Sequence, residues 1–205
     1  ILGYFARADY APLLDELRHV RVERAARIER TVARLNELGV ELEVADVEAA
    51  AGAEEGHDIA LGRPHVALAL LRRGVVATTN EAFEAYLRRG RPAYVERYRL
   101  KPERAVELIR EAGGLPVLAH PGLVRDDALI AQLVLQGIGG LEAYHTAHSP
   151  ADTKRYLEMA ERLGLYVTGG TDCHGPSGSY PVDIGGIEVP DSCAEKLLGW
   201  AEARG

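Results

Sequence analysis

The segment TGGTDCHG, residues 168–175, places a carboxylate and an imidazole directly after an apolar run that reads as a buried strand. Asp172 and His174 are two positions apart, and side chains at that separation point the same way in an extended segment. Gly169 and Gly170 have no Cβ, so other groups can approach the backbone closely. The pattern indicates either a capping pair on a tight turn or a site on which the two side chains converge.

Histidines also follow the two preceding predicted strands. His120 comes after VLA and His145 after LEAY, so polar side chains stand at the carboxyl ends of three successive strands. Barrels and open α/β sheets build their sites at that end. His120 alone could be a buried histidine satisfied by the backbone, but together with Asp172 and His174 it completes a set of ligand types that Zn, Mn and Fe take from proteins.

Other residues have two open interpretations each. His145 and His148, which flank the dipeptide TA, are either substrate contacts or surface residues. Arg63 stands at the start of a predicted helix, in GRPH, where backbone N–H groups and a guanidinium can bind an anion, although many helices begin with Pro for conformational reasons alone. Arg24 and Arg27 share a helix face with Arg21, as part of a solvated basic stripe or of a phosphate clamp.

The elements that must position these residues change character along the chain. The apolar spacing over residues 11–98 indicates a helical insertion and no convincing strand. The predicted helices of this insertion cover 11–38, 44–51, 63–73 and 79–89. From residue 101 helices and strands alternate, which favours an α/β fold with a mostly parallel sheet and helices packed outside it. We therefore expect a barrel portion at 1–10 and 99–205, with a helical insertion subdomain at 11–98.

Composition limits the class of function. The 205 residues carry a net charge of −7, which argues against long nucleic acid as a partner, and no apolar stretch is long enough to predict a membrane span. The two cysteines lack zinc-type spacing, so a reduced, cytoplasmic setting is expected. Because the sequence opens at Ile1 inside an apolar strand, we expect it to begin within a longer protein.

Taken in order, ILGYF, GRPHVA, AGGLPVLAHPG, GLEAYHTAHS and GLYVTGGTDCHG resemble the polymerase-and-histidinol-phosphatase (PHP) family of metal-dependent phosphoesterases. The most similar branch carries a helical insertion, hydrolyses nucleoside 3′,5′-bisphosphates and trims the 5′ ends of short oligonucleotides. The resemblance implies that the chain forms the carboxyl-terminal part of a distorted (β/α)7 barrel. The family's earlier ligand motifs, HxH, HD and a bridging Glu, would lie upstream of Ile1.

The same resemblance implies roles for particular residues. His120, Asp172 and His174 match ligands of a cluster of two or three divalent ions, with Mn²⁺ expected and Zn²⁺ or iron as alternatives, and Asp172 would also accept the proton of the attacking water. The implied substrate contacts are Arg24, Arg27, Arg63, His65, His145 and His148.

The function implied is metal-dependent hydrolysis of a phosphate ester in a nucleotide or short oligonucleotide. Two alternatives remain: a catalytically silent PHP module with a structural or interaction role, and a phosphatase of the histidinol-phosphate type. The arginines of the insertion argue against the latter, because its substrate offers only one phosphate.

Overall fold

The computed structural model of the chain describes residues 1–52, 60–173 and 183–204. The chain divides into two compact units, a sheet unit (Ile1–Leu13 with Lys101–Gly205) and a helical unit (Leu14–Leu100). Among the described residues, no helix is both long and apolar enough to cross a membrane. That residues 11–98 are an insertion into a barrel stays a prediction.

Four strands form the sheet of the sheet unit, in the order β1-β2-β3-β4. β1 (Leu2–Tyr4) runs antiparallel to β2 (Leu115–Leu118), whereas β2, β3 (Gly140–His145) and β4 (Tyr166–Gly170) are mutually parallel. The predicted α/β class with a mostly parallel sheet is confirmed. Because three neighbouring strands run the same way, their carboxyl ends lie along one edge of the sheet.

The helices of the sheet unit alternate with the strands as the sequence predicts, namely α5 (Pro102–Glu111), α6 (Pro121–Val124), α7 (Asp127–Leu135), α8 (Pro150–Leu163) and α9 (Asp191–Glu202). α8 is capped by Ser149, whose hydroxyl accepts from the Asp152 N–H, while the Asp152 carboxylate accepts from the Ser149 N–H. The core between sheet and helices is apolar and includes the fully buried Ile130, Leu141 and Tyr156.

The helical unit contains α1 (Ala11–Glu37, apart from its first turn), α2 (Val44–Ala51), α3 (Arg63–Arg72) and α4 (Thr79–Ala82), which continues into a π-helical turn at Phe83–Leu87. These bounds confirm the predicted helices to within a residue or two. The apolar positions at helical spacing meet in one core, whose fully buried members include Leu35, Val47, Val66, Leu70 and Leu87.

One element ends earlier than the sequence indicates. β4 ends at Gly170, and Asp172 has φ +53°, so the extended conformation assumed from TGG through His174 is wrong at Asp172. The close approach at the glycines is confirmed, since a Cβ on Gly169 would lie 2.6 Å from the Cβ of Tyr144 and 2.7 Å from Cγ2 of Val189. Packing on both sides of Gly169 holds the strand end in place.

Candidate metal-binding site at the strand ends

His120 stands between β2 and α6 in a left-handed backbone conformation, with φ +33° and ψ +59°. That region is sparsely populated for residues other than Gly and is characteristic of functional sites. The His120 N–H donates to Oε2 of Glu142 at 2.8 Å, and this bond anchors the backbone. Its ring nitrogen Nδ1 is buried and has no hydrogen-bond partner in the described part of the chain, so it is a donor of the type that metals use.

Glu142 is a buried carboxylate in the middle of β3, with 7% of its surface exposed. Sequence reasoning missed this residue. A register shift between Glu142 and Tyr144 marks a β-bulge, which changes the alternation of side chains along the strand. The signal available in the sequence was a single charged residue in the apolar strand GLEAYH, three positions before a histidine.

His145 ends β3 and is 1% exposed. Its Nδ1 accepts the N–H of Ala147 at 3.0 Å, and its Nε2 lies 4.0 Å from Oδ2 of Asp172. Burial lowers the pKa of His145, helped by the His148 and His120 rings and opposed by Glu142 and Asp172. The neutral form of this imidazole is therefore favoured. Substrate contact by His145 stays a prediction, although the ring is covered by protein.

Asp172 lies two residues beyond the end of β4, with 36% of its side chain exposed. The preceding carbonyl, Thr171 O, accepts the hydroxyl of Thr146 at 3.1 Å and so ties this turn to the loop after β3. A partly exposed carboxylate on a fixed turn can reach both a bound ion and solvent water. The structure thus brings His120, His145 and Asp172 to one edge of the sheet, since the His120 and His145 ring centroids are 5.4 Å apart.

His148 is held by two bonds to the backbone. Its Nε2 accepts the N–H of Gly122 at 3.0 Å, so its Nδ1 carries the proton and donates to Ala143 O at 2.8 Å. A Cβ on Gly122 would lie 2.5 Å from the His148 ring, which shows how closely the turn after His120 packs on it. Substrate contact by His148 stays a prediction, and would require one of these bonds to break.

The donor types available at this edge suit a first-row divalent ion, but their number is small. His120 and Asp172 are two of the three predicted ligands, and His174 lies outside the described residues. Within the described ranges no group of three or more His, Cys, Asp or Glu side chains is arranged to hold a metal ion. The ligand set therefore stays a prediction in which these two residues supply part of the coordination.

In the helical unit, Arg63 lies close enough to Arg27 for its charge to affect that residue. Burial and the positive charge of Arg63 both lower the pKa of Arg27. The Nε of Arg27 donates to Val95 O at 2.9 Å, and an Nη of Arg63 donates to Leu87 O at 3.0 Å. Each guanidinium donates one N–H to a backbone carbonyl, and its other N–H groups can bind an anion.

Two aromatic rings hold the Arg63 guanidinium, whose Cζ lies 5.8 Å from the centroid of Phe83 and 5.5 Å from that of Tyr94. The other two predicted substrate residues of this unit differ from it. Arg24 is exposed on α1, and His65 is half-buried in the first turn of α3, where its Nδ1 accepts the Gly62 N–H at 3.2 Å. Their contact with substrate stays a prediction.

Two curated relatives and one solved structure show what the chain is similar to. It is 34% identical over 194 residues to the 3′,5′-nucleoside bisphosphate phosphatase of Chromobacterium violaceum. That alignment covers 88% of this chain and 62% of that protein. It is 47% identical over 77 residues to the phosphoribosyl 1,2-cyclic phosphate 1,2-diphosphodiesterase of Eggerthella lenta, or 38% of this chain and 29% of that protein. No protein-family model matches the chain.

The solved structure, described as a metal-dependent phosphoesterase from Bifidobacterium adolescentis, aligns with a TM-score of 0.69 and 29% identity. The alignment covers 88% of this chain and 64% of that structure. The chain thus spans less than two thirds of the length of each of these three proteins.

Proposed function

The relatives and the solved structure fit a branch of the PHP family of metal-dependent phosphoesterases, as the sequence motifs predict, and from this premise we propose that the chain carries part of such an enzyme's active site. The proposed reaction is hydrolysis of a phosphate ester in a nucleotide or short oligonucleotide, of the nucleoside 3′,5′-bisphosphate type. A cytoplasmic setting stays part of the proposal.

The observation that carries this proposal is the arrangement of the strand ends. Three neighbouring parallel strands bring His120, His145 and Asp172 to the same edge of the sheet, and the buried Nδ1 of His120 has no hydrogen-bond partner among the described residues. An imidazole nitrogen left without a partner is costly unless something binds it. A divalent cation is the occupant that suits such a nitrogen beside a carboxylate.

His120 and Asp172 would hold the metal, with His174 as the third predicted ligand. Two or three divalent ions, Mn²⁺ or alternatively Zn²⁺ or iron, supply the lowered pKa of water and the positive charge that phosphoester hydrolysis needs. The Asp172 carboxylate is partly exposed, so it can accept the proton of the attacking water as a general base. The N–H of His120 donates to Glu142, which anchors the backbone that carries the imidazole.

The substrate class rests on the arginine pair of the helical unit. Two neighbouring guanidiniums are suited to bind a doubly charged phosphate, and the charge of Arg63 lowers the pKa of the neighbouring Arg27. A monoester with one phosphate has no use for a second anion site, whereas a 3′,5′-bisphosphate offers a phosphate that is not cleaved. We therefore favour the bisphosphate over a substrate of the histidinol-phosphate type.

A second candidate is cleavage of a cyclic phosphate diester of ribose. The observation that favours it is the 47% identity over 77 residues to the cyclic phosphate diphosphodiesterase, higher than the 34% over a longer stretch to the bisphosphate phosphatase. The same strand-end chemistry would serve both reactions. They differ in the bond that is cleaved, a terminal phosphate monoester in the first and a cyclic diester in the second. A phosphoribosyl cyclic phosphate also carries an uncleaved phosphate, so the arginine pair is compatible with both substrates.

Hydrolysis by the intact protein, reconstituted with Mn²⁺, Zn²⁺ or Fe²⁺ and followed by separation of the phosphorylated products, distinguishes the candidates. Product separation is needed because opening a cyclic diester gives a monoester and no free phosphate. The substrates are a nucleoside 3′,5′-bisphosphate, the matching 5′-monophosphate, a ribose 1,2-cyclic phosphate and histidinol phosphate. We expect the largest kcat/KM on the bisphosphate with Mn²⁺. Preference for the cyclic diester would favour the second candidate, and metal binding without turnover of any of the four would support a catalytically silent module.

A further inference from the structure

We propose that Glu142 and His145, both on the central strand β3, are positioning residues that orient the metal-facing residues of the two flanking strands. Glu142 acts on His120 after β2, and His145 acts on Asp172 after β4. The inference rests on the proposed function, because the residues being positioned are its proposed ligands. It assigns a positioning role to two buried groups, beside the predicted substrate contact of His145.

The first half concerns the backbone of His120. A buried carboxylate is costly unless hydrogen bonds compensate it, and Glu142 receives the N–H of His120 at 2.8 Å. The backbone of His120 is in the left-handed region, which residues other than Gly rarely occupy. A strong acceptor for its N–H therefore stabilises a conformation that is otherwise unfavourable. The direction in which the His120 ring projects depends on that backbone conformation.

The second half concerns the carboxylate of Asp172. Nδ1 of His145 accepts the Ala147 N–H, so in the neutral ring the proton resides on Nε2. That Nε2 faces Oδ2 of Asp172 at 4.0 Å, a separation that a small movement of the carboxylate shortens to a hydrogen bond. An imidazole N–H that faces a ligand carboxylate fixes its orientation, as outer partners of metal ligands do.

The bulge in β3 explains how one strand serves both neighbours. Glu142 and His145 are three positions apart, and in a regular strand side chains at that separation face opposite sides of the sheet. The register shift between Glu142 and Tyr144 inserts an extra residue, so the two polar groups come to the same side. On this account the bulge is what allows a single buried strand to orient both His120 and Asp172.

The first test uses the metal-free protein and does not depend on activity. The amide proton of His120, followed by NMR, should be shifted downfield and exchange slowly in the intact protein because it donates to Glu142. Glu142→Gln keeps a carbonyl acceptor and should preserve slow exchange, whereas Glu142→Ala should speed it at least tenfold. Equal exchange in the wild type and both variants would overturn this half of the proposal.

The second test measures Mn²⁺ affinity by titration calorimetry. Glu142→Ala and His145→Phe should each weaken binding by about 10- to 100-fold, the usual cost of losing an outer partner. Glu142→Gln and His145→Gln, which keep groups able to make the same hydrogen bonds, should stay within about fivefold of the wild type, by the same reasoning on outer partners. Because His145→Phe keeps a buried ring, any loss of Mn²⁺ affinity in this variant is due to the missing ring nitrogens.

Leu141→Ala is the matched control for stability. Leu141 is fully buried in the same strand, next to Glu142, and its truncation should lower the thermal midpoint without changing Mn²⁺ affinity in the folded protein. If Leu141→Ala weakens binding as much as Glu142→Ala, the effect is general destabilisation and the positioning role is wrong. If the wild type itself binds no Mn²⁺, the proposed function fails instead, while the His120 amide test still decides its half of the proposal.

Discussion

The sheet unit and the helical unit bury different kinds of side chains. Among the described residues of the sheet unit four polar residues are buried, namely Glu142, His145, Thr168 and Thr171. In the described part of the helical unit Thr31 is the one buried polar residue, and its hydroxyl simply donates to Arg27 O, one turn earlier in α1. Buried polar groups cost stability unless they are satisfied, so their concentration in the sheet unit is what the proposed site at the strand ends would require.

The backbones differ in the same way. Among described residues, the four that are not Gly and have a left-handed φ all belong to the sheet unit, namely Phe5, His120, Arg125 and Asp172. The left-handed positions of the described helical unit are all glycines, at Gly39, Gly52, Gly74 and Gly90, where they end helices and turns without strain. The helical unit follows the rules for stability, and the sheet unit departs from them beside the candidate site.

Asp172→Asn should have the largest effect, because it tests whether the irregular backbone of the sheet unit carries residues needed for activity. Asn tolerates the left-handed conformation, so the fold should persist, while loss of the base should lower kcat on the preferred substrate by about 10²- to 10⁴-fold. Steady-state kinetics and thermal unfolding on the same sample separate the two effects. Asp183→Asn, at an exposed position, is the matched control and should leave both unchanged. A loss below tenfold in Asp172→Asn would remove Asp172 from the chemistry.

The opposite behaviour is expected of the helical core. Leu70 is fully buried there, and Leu70→Ala should lower the free energy of unfolding by about 2–5 kcal/mol through a cavity. Below the unfolding transition, Mn²⁺ affinity should stay within about twofold of the wild type, because this apolar core contains no proposed ligand. Denaturant unfolding and metal titration measure the two quantities. A large loss of metal affinity in folded Leu70→Ala would break the division of roles.

Arg63 is where the helical unit is proposed to take part in function. Arg63→Ala should lower kcat/KM on a 3′,5′-bisphosphate by about 10- to 150-fold, equivalent to about 1.5–3 kcal/mol for a lost charged contact. Activity on an activated monoester should change little, because that substrate has no distal phosphate. Arg72→Ala, which removes an exposed arginine of the same helix, is the control. Equal losses on both substrates would assign Arg63 to the scissile phosphate or to the scaffold.

The smallest expected effect concerns ionised carboxylates near helix starts, one in each unit, which should stabilise both units in the same way. Hydrogen bonds from Ser149 lower the pKa of Asp152, and a backbone bond from Glu43 followed by Arg73 lowers that of Asp46. A carboxyl whose folded pKa is depressed stabilises the fold above its unfolded value of about 3.8, and this stabilisation is lost as pH falls through the folded pKa.

Asp152→Asn and Asp46→Asn should therefore lower the thermal midpoint slightly at pH 7. The difference from the wild type should begin to shrink below about pH 4, where these carboxyls become protonated in the unfolded chain, and should vanish once the pH falls below their depressed folded pKa values. Thermal unfolding of the three proteins at both pH values measures this. A difference that is the same at pH 7 and pH 3 would show that the ionised form of these caps contributes nothing.

Much of the architecture was predictable from periodicity. The apolar spacing of α1, the glycines that end the helices, and the alternation of helices with strands after residue 101 each correspond to a described element. The strand-end rule then located His120, His145 and Asp172 on one edge, because parallel strands have a common carboxyl end. These are local or topological regularities, which can be recognised from the pattern of residues alone.

The contacts within the site were not predictable. Glu142 was missed because its role is a contact with the backbone of His120, 22 positions earlier in the chain, and no local pattern in the sequence indicates that contact. The end of β4 was misplaced because Asp172 takes a left-handed φ, a choice determined by its surroundings and not by its own propensity. Both features depend on tertiary packing, and both lie where function would require departures from regular structure.

The central claim is that the carboxyl ends of β2 and β4 hold a divalent metal. A crystal structure of the intact protein soaked in Mn²⁺, with anomalous scattering recorded on both sides of the manganese edge, tests it directly. We expect anomalous peaks within bonding distance of the His120 imidazole and of an Asp172 carboxylate oxygen. Peaks elsewhere, with His120 and Asp172 bound to no ion at saturating Mn²⁺, would contradict it.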